Sequence, residues 1–260
     1  MLKELDLFGT KMPTFGLLIG IGVIFAMLIY YLQIKNNKEE QKRFDKLGAL
    51  LPIVILGGIF GAILFDKIAH WGEKTWYKPA GISFSGGLFL GIILYIIFYP
   101  KIVSKDKNHF IKDISILTCP MIIAHAFGRV GCFFAGCCYG KPSNSFLAVT
   151  FPEGSLQHTQ YGYITPVLPT QLFEAVFLFL LFIVIFFFVK KYKTPVYLFS
   201  YAVARYIIEF FRGDNRGKIL SFMTPSQMMS VLFIGLGIYF LIFERNNYKQ
   251  ATIEMEKMQE

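Results

Sequence analysis

The chain holds 260 residues with a net charge of +9; 55% of them are hydrophobic and only 17% charged. A soluble domain normally carries about 25% charged residues, and the charged outer faces that a large soluble helical core needs are missing. Four cysteines, three of them crowded between positions 132 and 138, also argue against a disulfide-stapled scaffold.

Seven apolar segments follow in chain order, at residues 15–32, 48–66, 81–99, 113–131, 168–189, 195–211 and 223–243. Each approaches the ~20 residues with which a helix crosses a bilayer. The first lies within "KMPTFGLLIGIGVIFAMLIYYLQIKNNKEEQKR", which has no small-residue cleavage site. It reads as a transmembrane helix and not as a cleavable signal peptide. The fifth carries the densest aromatic run, "FLFLLFIVIFFF", whereas the fourth and sixth are interrupted by charge. The expected fold is an all-α polytopic membrane protein of seven transmembrane helices, built as a single integral-membrane domain over residues 1–260.

Lys and Arg in the connections set the orientation. Connections 33–47, 100–112, 190–194 and the C-terminal tail hold fifteen basic residues, and the alternate set, 1–14, 67–80, 132–167 and 212–222, holds nine. The bias places the N-terminus outside and the C-terminus in the cytoplasm. The longest outer connection, 132–167, contains the β-branched "LAVTF" followed by Pro and Gly. It reads as a small amphipathic cap on the membrane surface between the fourth and fifth helices; its aromatic and β-branched content argues against a flexible linker.

Ionisable side chains inside a span cost at least ~2.5 kcal/mol for Arg on insertion scales and so tend to be functional. His125, Arg129 and Cys132 share one face of the fourth segment, and Arg205, Glu209 and Arg212 share one face of the sixth. A buried Arg–Glu pair that pins two helices explains the second face without any ligand. Taken together, however, three arginines face one carboxylate, Glu209. That surplus suits an anion, and Arg is the residue for bidentate phosphate binding. At that depth the available phosphate is a phospholipid headgroup.

The glycines admit two uses. Gly128 and Gly131 permit close helix packing and Gly136 and Gly140 a helix end; alternatively they let the backbone approach a ligand. For Cys132, Cys137 and Cys138, structural packing or a disulfide comes before a metal, and a catalytic thiol last. His125 with the three thiols would supply four soft ligands, but there is no C-x-x-C pair, and adjacent Cys137 and Cys138 cannot easily both reach one tetrahedral ion. No metal site and no cofactor are expected.

These residues resemble a known family. "GRVGCFFAGCCYG" (128–140) is similar to the signature G-R-[IVL]-G-N-F-x-N-x-E-x-x-G of the prolipoprotein diacylglyceryl transferases. In the same order, "GISFSGGLFLG" resembles the family's segment with a histidine before paired glycines, "PTQLFEA" (169–175) its P-[ST]-Q-L-Y-E-A, and "RYIIEFFRGD" (205–214) its R-x-x-x-E-F-F-R. "SQ" at 226–227 echoes a pair in the last helix, so the resemblance runs from about Phe15 to Phe243.

The resemblance implies transfer of the sn-1,2-diacylglyceryl group of phosphatidylglycerol to the lipobox cysteine of a prolipoprotein signal peptide, with glycerol 1-phosphate leaving. It implies residence in the bacterial cytoplasmic (inner) membrane, with the active site toward the outer leaflet. The partners are then phosphatidylglycerol, the prolipoprotein and the lipid bilayer, and no nucleic acid. Carried over by position, Arg129 holds the phosphate, Arg205 is the essential arginine of the sixth helix and Glu209 its paired carboxylate. Gly128, Gly140, Gln171, Glu174 and Arg212 are expected to bind substrate. The departures are Cys132 and Ala135 where the signature has Asn, Cys137 where it has Glu, and Ser85 where the family has His. His125, absent from that signature, is the candidate for the lost acid–base capacity. The same donor with another acceptor, a thiol redox or metal-binding membrane protein, and a scaffold that keeps the fold without the chemistry are the competing readings.

Overall fold

The computed structural model describes residues 4–7, 10–69, 84–153, 155–213 and 224–257. A short antiparallel hairpin, β1 (Glu4–Leu7) and β2 (Thr10–Pro13), precedes α1 (Thr14–Ile34). Then come α2 (Lys38–Ala69), α3 (Phe84–Ile102) and α4 (Lys107–Ala135), followed by β3 (Val149–Thr150), α5 (Leu156–Tyr161) and β4 (Pro166–Val167). The chain finishes with α6 (Thr170–Phe188), α7 (Lys193–Phe211) and α8 (Pro225–Lys257). Each of the seven apolar segments thus lies on a helix, although residues 81–83 and 223 fall outside the described residues.

Five of these helices are long and apolar enough to cross a membrane: α1, α2, α4, α6 and α8. Their outward faces carry large apolar side chains, such as Ile24, Leu56 and Phe188, at 67%, 67% and 76% exposure. Faces of that kind belong in lipid, because a soluble monomer does not leave whole helix faces apolar. The protein is a polytopic membrane protein. Of the seven expected spans, two fall short of this measure. The apolar stretch of α3 that is described is short, Gly86–Ile102, and α7 carries Lys193, Arg205 and Glu209.

Two compact units are present, one formed by residues 1–33 and 114–260, the other by residues 34–113. In the smaller unit α2 and α3 pack through small residues. A Cβ on Gly87 would lie 3.0 Å from the Gly58 carbonyl oxygen and 3.2 Å from the Ala62 Cβ, so the backbones approach as only glycine permits. Arg43 Nε contacts both Asp113 oxygens at 3.0 and 3.1 Å, and the Tyr99 hydroxyl donates to Asp113 Oδ2 at 2.7 Å.

The core of the larger unit is built by Cys119, Ile122 and Ala126 of α4, Leu178, Leu181 and Ile185 of α6, and Leu198 and Tyr201 of α7. Ile29 of α1 and Phe233 and Leu236 of α8 pack against it. The helix ends are tied by polar contacts: Thr118 and Thr194 hydroxyls sit 2.9 Å apart, and Lys193 Nζ donates to Gln33 Oε1 at 3.0 Å.

The connection after α4 folds into a small unit of its own. Within "LAVTF", β3 pairs antiparallel with β4, and Tyr139, Phe151 and Val167 make a small buried core. Between the strands, Ser155 caps α5, its hydroxyl accepting from the His158 N–H. Gly162 closes α5 with φ of 73°, a left-handed turn that favours glycine. The cap is fastened to the end of α7 by an antiparallel bridge between Gly140 and Arg212 and by Gln160 Nε2, which donates to the Gly213 carbonyl at 3.0 Å.

Candidate active site in the helix bundle

His125, Arg129 and Cys132 of the fourth segment and Arg205, Glu209 and Arg212 of the sixth fall in the larger unit, which α4, α6 and α7 help to build. Glu174, on the second turn of α6 and 1% exposed, is the hub. Its Oε1 lies 3.1 Å from Arg129 Nε and accepts a hydrogen bond from the Tyr201 hydroxyl at 2.6 Å. Arg129 Nε also donates to His125 Nε2 at 3.2 Å, one turn earlier on α4. A nitrogen that accepts carries no proton, so the His125 ring is neutral in this arrangement, although its Nε2 stands only 3.8 Å from Glu174 Oε1. The ring is braced edge-on against Tyr201, with centroids 5.0 Å apart. Glu174 Oε2 is buried and makes no hydrogen bond among the described residues.

A second cluster lies one turn further along α7. Arg205 Nη2 sits 2.7 Å from Glu209 Oε2 and 2.5 Å from the Ser226 hydroxyl of α8. Arg212 Nε approaches the same carboxylate oxygen at 3.9 Å. Arg205 Nη1 is buried with no hydrogen-bond partner among the described residues. Two guanidiniums therefore share one carboxylate, and Arg205 is also within electrostatic reach of Glu174. Burying an ion costs several kcal/mol after relaxation unless partners compensate it. A buried guanidinium with an N–H that has no partner among the described residues is the arrangement that an incoming anion completes.

Arg129 is balanced by Glu174, not by Glu209, because α6 packs its second turn against α4. Glu209 is left with two guanidiniums, those of Arg205 and Arg212. Tyr201 was missed from sequence; its position one turn before Arg205, on the same helical face, was the available signal.

Other expected residues have clear places. Gly128 has open space beside it, with nothing within 4 Å of the point where a Cβ would stand, so helix packing does not require this glycine. Gly140 is a packing glycine: a Cβ there would lie 2.7 Å from the Leu168 carbonyl oxygen and 2.8 Å from that of Phe211. Gln171 is buried and donates through Nε2 to the Cys137 carbonyl at 2.5 Å, fixing the loop, while its Oε1 is buried without a hydrogen bond among the described residues. Ser85 lies in the first turn of α3, in the smaller unit.

Cys132, Cys137 and Cys138 are not joined by a disulfide, and their sulfurs all lie within 4.8 Å of one another. Adjacent cysteines do converge, because Cys138 takes a left-handed φ of 65° that reverses the chain. The Cys137 thiol is held well above the usual range, first by hydrogen bonding with Cys132 and Cys138 and then by burial.

An open apolar groove of about 640 Å³ runs along α6 and α7, lined among others by Phe173, Phe177, Val203, Ala204 and Ile207. It borders the same helices that carry Glu174, Arg205 and Glu209.

The chain is similar to curated proteins along nearly its whole length. Phosphatidylglycerol–prolipoprotein diacylglyceryl transferase 2 of Clostridium perfringens is 28% identical over 97% of this chain and 98% of its own length. The phosphatidylglycerol–prolipoprotein diacylglyceryl transferase of Clostridium tetani is 29% identical over 92% of this chain and 96% of its own. That of Pseudoalteromonas translucida is 31% identical over 92% and 89%, respectively. The profile of one family, described as prolipoprotein diacylglyceryl transferase, matches residues 4–243. With ion-paired arginines on α4 and α7 inside an apolar helical bundle, and this match over residues 4–243, the chain belongs to the prolipoprotein diacylglyceryl transferase family.

Proposed function

We propose that this protein transfers the diacylglyceryl group of phosphatidylglycerol to the lipobox cysteine thiol of a prolipoprotein, releasing glycerol 1-phosphate. The observation that carries the reading is the pair of buried arginine clusters, Arg129 with Glu174 and Arg205 with Glu209, within an apolar bundle. The acceptor sulfur attacks the glyceryl carbon, the C–O bond breaks, and its electron pair leaves on the phosphate oxygen. Negative charge grows on that leaving group, so fixed cations aimed at it lower the barrier. Arg205, whose buried Nη1 has no hydrogen-bond partner among the described residues, and Arg129 receive the phosphate, and Arg212 adds to the positive field. The acyl chains lie along the apolar groove of α6 and α7.

The acceptor thiol must lose its proton. His125 is neutral while Arg129 donates to its Nε2. When Arg129 turns to the phosphate, Nε2 becomes available as a base, so donor binding and acceptor activation are coupled. Glu174 holds both partners in register. Seven crossings carry the chain, α3 and α7 included, with the N-terminus outside, the C-terminus in the cytoplasm, and the site toward the outer leaflet of the bacterial cytoplasmic membrane.

Arg129→Ala and Arg205→Ala test the reading. Each is expected to lower thioether formation about 100-fold or more, the scale of losing one charge-stabilising donor. Unchanged rates in both variants would refute it. A second reading keeps the lipid donor and changes the acceptor. It is favoured by Cys132, Ala135 and Cys137 standing where the family signature has Asn, Asn and Glu, and mass spectrometry of the lipid-modified product separates the two.

A further inference from the structure

The loop that follows α4 gathers three sulfurs that the transfer chemistry above does not use. Those of Cys132, Cys137 and Cys138 lie within 4.8 Å of one another, and all three residues are partly exposed. Two left-handed residues shape the loop: Gly136 at φ 69° stops the helix, and Cys138 at φ 65° folds the chain back. Neighbouring side chains on an extended strand point to opposite sides; the reversal at Cys138 is what puts its sulfur beside that of Cys137.

The surrounding residues hold this shape. The Cys137 N–H donates to the Cys132 carbonyl at 3.2 Å. Gln171 Nε2 donates to the Cys137 carbonyl at 2.5 Å and the Thr170 hydroxyl to the Cys138 carbonyl at 2.9 Å. Every carbonyl of the three cysteines is therefore fixed, two of them by the first turn of α6. Such support is what keeps ligand atoms in position for an ion.

We propose that Cys132, Cys137 and Cys138 form a three-thiolate site for a soft, thiophilic metal ion of the zinc(II) or copper(I) class. Metal–sulfur bonds of about 2.3 Å place three sulfurs about 4 Å apart around one ion. The observed spread is within about 1 Å of that, an adjustment open to side-chain rotation alone. Thiolates select zinc and copper(I) over magnesium or calcium, which take oxygen ligands. The site carries excess negative charge once the thiols are deprotonated, and the Arg129 guanidinium is within electrostatic reach of Cys132 and Cys138. Copper(I) is satisfied by three sulfurs, whereas zinc(II) takes a fourth ligand from solvent or substrate.

The test reads metal content and does not depend on transferase activity. The full-length protein, purified in detergent under reducing anaerobic conditions and stripped with chelator, is titrated separately with zinc(II), cobalt(II) as a spectroscopic stand-in, and copper(I). After desalting, one ion per chain is expected, with a sulfur-to-cobalt charge-transfer band in the cobalt arm. The zinc and copper arms, set in competition, show which ion the site prefers. Cys132→Ser, Cys137→Ser or Cys138→Ser should each weaken binding at least about tenfold, and Cys119→Ser, a buried core cysteine outside the cluster, should leave it intact. The charge-transfer band reports thiolate ligation in the unsubstituted protein, so the proposal stays testable if a variant misfolds. Stoichiometric metal that survives replacement of all three cysteines would overturn it. So would no retained ion in any arm, or mass spectrometry of protein alkylated in intact cells, before any reductant is added, that finds two of the three joined as a disulfide.

Discussion

Glu174 carries more of the site than its place in the sequence suggests. Its Oε1 meets Arg129 Nε and the Tyr201 hydroxyl, with His125 close by. Glu174→Gln keeps the shape but leaves Arg129 as an uncompensated buried cation, a change that costs about 3–5 kcal/mol. We expect a clear drop in the melting temperature of the detergent-solubilised protein together with loss of activity. Tyr201→Phe removes one hydrogen bond to a charged group, worth about 1.5–3 kcal/mol, and should melt between the two. Equal melting of all three proteins would show that the carboxylate is not the hub. Gly128 is the converse case: with open space beside it, Gly128→Ala should fold normally and raise the KM for phosphatidylglycerol. An unchanged KM would remove the lipid from that face. Of these contacts, the Arg205–Glu209 pair was readable because it is local to one helix. The Arg129–Glu174 pair was not, since it depends on how α6 packs against α4.

At the scale of elements, hydropathy located every long helix but not its ends. The second segment was expected from residue 48, yet α2 begins at Lys38; the fourth was expected from 113, and α4 begins at Lys107. Lys, Glu and Gln are good helix formers, so helices continue past the point where the chain stops being apolar. The strand character of "LAVTF" was visible, whereas its partner, Pro166–Val167, is too short to signal itself. The convergence of the thiols depends on a positive φ at Cys138, which no residue type announces. The crossing where the end of α4, the start of α6 and the end of α7 meet is held at Gly140, whose N–H donates to the Leu168 carbonyl at 2.7 Å. Gly140→Ala forces that crossing apart, at about 1–3 kcal/mol for overpacking. Hydrogen exchange should then show the cap strands β3 and β4 opening while α1 and α8 remain protected; uniform protection would show that the crossing tolerates a methyl group.

For the whole molecule, the apolar helices establish a polytopic membrane protein, and charge supplies the proposed topology. Basic residues concentrate in connections 33–47, 100–112, 190–194 and the C-terminal tail. A fluorescent protein fused at the C-terminus should therefore light up in cells, and an alkaline phosphatase fused within the cap, near Asn144, should be active. The opposite pattern would invert the topology and move the site to the other leaflet. The transfer itself can be followed in one measurement. The purified protein, in nanodiscs of phosphatidylglycerol, is given a synthetic lipobox peptide, and the products are read by mass spectrometry. A thioether-linked diacylglyceryl group on the peptide cysteine and an equal amount of glycerol 1-phosphate are expected. Phosphatidylglycerol consumed without modification of the peptide, or a peptide left untouched by a folded protein, would contradict the proposed transfer.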